Sequence, residues 1–125
     1  MQQFRDAIES RDLDAVVALL AEDVVFRSPV VYAPYEGRAQ VEVLLRAVSR
    51  VLEDFRYIRQ IGSPEDADHA LVFRARVGDR EVEGCDFIHV GEDGLIDELY
   101  VMFRPLSGVL ALAEAMKRQL EPAES

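Results

Sequence analysis

At 125 residues, half of them apolar and nearly a third charged, the chain has the size and composition of one folded domain that needs no disulfide or metal to hold it together. A single domain is expected over residues 1–120, with a frayed tail over 121–125. A formal net charge of −10 repels polyanions, and no Lys/Arg cluster offsets it, so neither nucleic acid nor an acidic lipid surface is an expected partner. No apolar run approaches the roughly 20 residues of a spanning helix, and Met1 to Asp6 lacks the basic and apolar regions of a signal peptide. A cytoplasmic protein is expected. The single Cys85 has no partner for an internal disulfide, and with only His69 and His89 present no zinc-type spacing can be assembled. Neither a metal nor an organic cofactor is implied.

The first elements read as helices. Phe4, Ala7 and Ile8 recur at helical spacing, and Asp12 stands as an N-cap before Leu13, Val16, Val17 and Leu20, which predicts two short helices joined by a bend. The β-branched and aromatic run Val24 to Arg27 predicts a short strand, and Pro29 and Pro34 turn the following segment into an irregular loop carrying Tyr32 and Tyr35. A third helix is expected after Gly37, with Val41, Leu44, Leu45, Val48 and Leu52 on one stripe.

From Asp54 onward the period changes to two. Strands are expected at about Phe55 to Ile61, Ala70 to Val77, Glu81 to Val90 and Leu95 to Phe103, with hairpin signals at Gly78-Asp79 and Glu92-Asp93-Gly94. Pro105 ends the last strand, and Ser107 is placed to cap a final helix with Val109, Leu112, Ala113, Met116 and Leu120 on one face. Helices on one side of an antiparallel meander define an α+β domain.

Strand alternation assigns faces. Leu71, Phe73, Ala75 and Val77 form one row, and Val82, Gly84, Asp86, Ile88 and Val90 another, so Asp86 is the single charge among apolar inward neighbours. A carboxyl group there loses hydration, its pKa rises, and it can donate a hydrogen bond to a ligand oxygen. The alternative is a carboxyl hydrogen-bonded by neighbouring protein groups and serving packing alone. His89 has the opposite parity and is expected at the surface or an interface. Cys85 and Phe87 make the convex face partly apolar, which a second subunit can cover.

Several local motifs then resemble the nuclear-transport-factor-2-like superfamily, in its SnoaL-like branch with the polyketide cyclases and ketosteroid isomerases. They are Arg11-Asp12-Leu13-Asp14-Ala15 followed by Leu20-Ala21-Glu22-Asp23-Val24, Tyr35-Glu36-Gly37-Arg38, Asp86-Phe87-Ile88-His89-Val90 and Asp93-Gly94-Leu95-Ile96. The resemblance covers nearly the whole chain and implies a cystatin-like cone: a curved antiparallel sheet wrapped around the N-terminal helices, with a C-terminal helix and often a homodimer. It places Asp86 where ketosteroid isomerase keeps a protonated aspartic acid. Ser28 falls at that enzyme's general base and Phe4 at its oxyanion-hole tyrosine, so its ordinary activity is not expected. The acids of limonene epoxide hydrolase are likewise missing, at Arg76 and Val101.

The expected pocket is lined by Phe4, Ile8, Tyr32, Tyr35, Leu44, Leu45, Phe73, Ala75, Gly84, Leu99, Val101 and Phe103, and it takes a small hydrophobic molecule. Two functions are open: proton-transfer chemistry on a hydrophobic carbonyl compound, as an isomerase, dehydratase or cyclase with Asp86 as acid or donor and Ser28 orienting; or a non-catalytic ligand-binding or dimerisation domain.

Overall fold

The computed structural model describes residues 1–120; the expected frayed tail lies outside the described residues. The chain opens with α1 (Gln2–Glu9) and α2 (Leu13–Ala18), and the Asp12 carboxylate accepts the Ala15 N–H at 3.2 Å as the N-cap of α2. Then come β1 (Leu20–Arg27), the two-residue β2 (Tyr35–Glu36), α3 (Arg38–Val51), β3 (Glu53–Ile61), β4 (Asp68–Val77), β5 (Arg80–Val90), β6 (Ile96–Arg104) and α4 (Leu106–Leu120). No helix among the described residues is long and apolar enough to cross a membrane.

The six strands form one sheet in the order β2-β1-β6-β5-β4-β3. Strands β3 to β6 are the antiparallel meander read from the sequence, and β1 joins its edge by running parallel to β6. Strand β1 starts four residues earlier than expected. Leu20 continues the helical spacing of α2, but its backbone pairs with Ile96 and the Leu19 carbonyl accepts the Ile96 N–H, so sheet bonding overrides the local period. Helix α4 likewise begins at Leu106, directly after Pro105, which puts Ser107 inside the first turn rather than at the cap.

The β4–β5 hairpin closes at Val77 and Arg80 over Gly78-Asp79, with Gly78 at φ 60°, a conformation that glycine adopts without steric cost. Helix α3 follows Gly37 at its N-cap position and buries Val41, Leu44, Leu45, Ala47 and Val51. One core fills the cone between helices and sheet, centred on Leu20, Val24, Val41, Leu71, Phe73 and Ile88. A second, smaller core lies under α4, where Leu112 packs with Val51, Ala75, Val77 and Val82.

Gly84 sets the shape of the sheet floor. It stands between Phe73 on β4 and Phe103 on β6, and a Cβ built on it meets the Phe73 ring and the Met102 carbonyl oxygen at sub-van-der-Waals distance. The Phe73 ring therefore lies across the backbone itself. Replacing Gly84 by Ala is expected to destabilise the fold by about 1–3 kcal/mol, because a backbone carbonyl must move as well as a ring; urea unfolding of G84A against the parent chain measures this.

Candidate functional site

A cavity of about 360 Å³ opens between the concave face of the sheet, the α1–α2 bend and the C-terminal half of α3. Its size is that of a small-molecule pocket. The walls are aromatic: Phe55 stacks on Phe73 at 4.8 Å between centroids, Tyr57 meets Phe55 edge-on at 4.9 Å, and Phe103 lies 6.0 Å from Phe73.

Asp86 lines this cavity from the middle of β5, between Leu71 on one neighbouring strand and Val101 on the other. The Tyr57 hydroxyl donates to its Oδ2 at 2.7 Å, and Oδ1 makes no hydrogen bond with any described residue. Burial pushes the Asp86 carboxyl up from 3.8 to about 6, while the Tyr57 hydrogen bond pulls the other way by favouring the charged form. Tyr57 itself is held well above the usual phenol range, first by burial and then by the facing Asp86 charge, so it remains a neutral donor.

Tyr57 is fixed by the first helix. Its backbone N–H donates to Glu9 Oε2 at 2.9 Å, and Arg5 of α1 donates to its carbonyl at 3.3 Å with the guanidinium 6.0 Å from the ring centroid. Helix α1 thereby sets the position of the hydroxyl that meets Asp86.

Phe4, Ile8, Leu45, Phe73, Leu99, Val101 and Phe103 line the cavity along with Asp86. Five other expected lining residues stand elsewhere. Tyr32 is fully exposed at 101%. Tyr35 packs on Phe26 with centroids 6.5 Å apart. Leu44 is buried in the helix–sheet core, Ala75 belongs to the core under α4, and Gly84 is covered by the Phe73 ring. Ser28 also lies outside: its hydroxyl accepts the Val30 and Val31 N–H groups at 2.9 and 3.3 Å, closing a local turn beside a neighbouring depression. The residue that sequence reasoning left unplaced is Tyr57. The register of β3 shifts between Tyr57 and Arg59, so counting alternate residues along that strand cannot assign its face.

With this geometry in view, a family model described as SnoaL-like domain matches residues 1–99. The chain belongs to the SnoaL-like family. Among solved structures, this SnoaL-like domain is similar to a steroid delta-isomerase from Pseudomonas aeruginosa, at 44% identity over 95% of this chain and 87% of that one, with a TM-score of 0.89. A Silicibacter pomeroyi protein with a cystatin-like fold is 37% identical over 94% of this chain and 82% of its own, also at 0.89. An NTF2-like protein from Cytophaga hutchinsonii, 19% identical over 83% of this chain and 86% of its own at a TM-score of 0.63, shares the fold alone. No curated protein sequence matches the chain.

The raised Asp86 pKa fixes the sign of a stability effect. Between its ordinary value of 3.8 and about 6 the folded chain holds a proton that the unfolded chain has released, so stability falls as pH rises through this window and the full cost is present above it. Asp86→Asn keeps an acceptor for Tyr57 and removes the buried charge. It is expected to be more stable than the parent by about 1–3 kcal/mol at pH 8, with the gap closing towards pH 4. Tyr57→Phe is expected to move the Asp86 midpoint further up. Urea unfolding at the two pH values and an NMR titration of Asp86 check both.

Proposed function

We propose that this SnoaL-like domain catalyses proton transfer on a small hydrophobic carbonyl compound, with Asp86 as the group that carries the proton. The observation behind this is the carboxyl group on the cavity floor, with one oxygen held by Tyr57 and the other without a hydrogen-bond partner among the described residues. A pKa near 6 leaves Asp86 mostly ionised at neutral pH yet close enough to it to take and return a proton efficiently. In the proposed step the carboxylate removes a proton from the carbon next to the carbonyl. The C–H electron pair delocalises into the carbonyl as an enolate, and the same proton is returned at another carbon of the conjugated system. The isomerase description of the 44% identical Pseudomonas aeruginosa protein supports this class of reaction.

Ser28 has no part in it, since it does not line this cavity and its hydroxyl oxygen accepts from its own turn. Phe4 contributes apolar surface and no donor, so enolate stabilisation by a phenol on α1 is missing. That absence favours a second reading, a carrier that binds an apolar carbonyl compound unchanged.

The test is deuterium uptake or double-bond migration in a β,γ-unsaturated cyclic ketone, followed by NMR. Asp86→Asn is expected to lower the rate at least about a hundredfold, and the parent rate is expected to rise with pH to a plateau above about 6 as the carboxylate forms. An unchanged rate in D86N removes Asp86 from the mechanism. Retention of the ketone on native mass spectrometry without chemical change establishes the carrier instead.

The convex face supports a homodimer as the assembled form. Phe87, Tyr100 and Met102 are 43%, 40% and 48% exposed there. They adjoin Cys85 and Val72 in the strand register and are bordered by the Arg74–Glu83–Arg104 ion pairs. An apolar stripe with a charged rim has the anatomy of a self-complementary contact. Sedimentation velocity is expected to give twice the 14.1 kDa chain mass, and Phe87→Glu with Met102→Glu is expected to give the monomer.

A further inference from the structure

The polar groups around the cavity are nearly all committed to protein partners. Glu9 accepts the Tyr57 N–H and pairs with Arg5 at 3.5 Å. The Ser49 hydroxyl donates to the Arg46 carbonyl at 2.7 Å. Asp54 shares Arg76 with Glu53. Tyr57 is bound to Asp86. Two groups keep unused capacity: Asp86 Oδ1 on the floor, and the Arg11 guanidinium.

Arg11 is exposed and also lines the cavity, which puts it at the rim, beside a groove lined by Asp12, Asp14, Arg46 and Arg50 in which Arg46 is already paired with Asp14 and Glu42 and Arg50 donates to Gln119. One of its nitrogens donates to the Ser49 carbonyl of α3, which anchors the side chain, and no carboxylate among the described residues lies within ion-pair distance of it. The remaining N–H donors form a planar fork suited to a carboxylate. Its backbone is left-handed at φ 62°, a conformation that disfavours a long side chain relative to glycine or asparagine. The rim thus keeps a guanidinium on a strained backbone position, aimed across α3, while both rim carboxylates already have arginine partners.

We infer that the ligand is an oxo acid: an apolar body fills the cavity, the C–H next to a carbonyl group lies against Asp86, and a carboxylate at the other end is held by Arg11. The inference rests on the proposed carbonyl chemistry at Asp86 and adds the anionic end. The net charge of −10 opposes an anion at long range, so recognition depends on this short-range contact.

Calorimetric titration of 9-oxodecanoate and of its methyl ester at about 150 mM salt provides the test. The acid is expected to bind roughly ten- to a hundredfold more tightly than the ester, the range of a charge-assisted hydrogen bond. In Arg11→Asn, which suits the left-handed backbone, the ratio is expected to fall to about one; in Arg11→Lys, which keeps charge without the fork, it is expected to fall between the two. Urea unfolding confirms that the variants are folded. Equal affinity for acid and ester in the parent chain overturns the anionic end and leaves the carbonyl reading standing. Binding of neither overturns both.

Discussion

The hydrogen bond between Tyr57 and Asp86 ties together parts of the chain that would otherwise be independent. The tyrosine is held from outside the sheet by α1, through Glu9 and Arg5, and the aspartate sits two strands away in the centre of the meander. A carboxyl group at that place has Leu71 and Val101 beside it and aromatic rings around it, so burial alone disfavours its charge. The phenol offsets part of this and does so on one oxygen only. The result is a group whose protonation changes at about pH 6 and whose second oxygen has no partner among the described residues. Position, pKa and availability of Asp86 all follow from that pairing and from the apolar box that surrounds it.

The box depends on backbone geometry as much as on side chains. Phe73 can lie flat across the sheet because Gly84 has no Cβ, and Phe55 stacks on Phe73 in turn. This arrangement lines one side of the cavity with ring faces instead of filling it with branched side chains. Helix α4 covers a second core that closes the cone from beneath and meets the cavity through Leu112, Val48, Leu52, Phe55 and Phe103.

Most of the fold was legible because its periodicities are local. The two-residue alternation of β4, β5 and β6 assigned the inward row that includes Asp86, and the hairpin at Gly78-Asp79 fixed the register between β4 and β5. What escaped was set by contacts distant in sequence. Leu20 fits a helix by spacing and enters a strand because β6 offers it backbone partners. Tyr57 could not be assigned because β3 slips register just after it, and the family pattern drew attention to Ser28 and Phe4. The loop tyrosines at 32 and 35 were reasonable pocket candidates by chemistry, yet Pro29 and Pro34 carry that segment outward and leave only Pro29 itself against the cavity.

These misplacements bear on the chemistry of the family. The concave sheet faces the cavity, so a carboxyl on β5 reaches that space whatever occupies α1 or the loop after β1. In this chain the residues at those two other places, Phe4 and Ser28, supply no acid, base or free donor to the cavity, and the partner for the β5 acid comes from β3 instead. A phenol given to Asp86 is not available to a substrate oxygen. In the proposed reaction the same carboxyl accepts and returns the proton by itself, and substrate placement falls to the apolar walls and the rim. An acid that works alone gains most from a pKa close to the working pH, which is where burial in this aromatic box puts it.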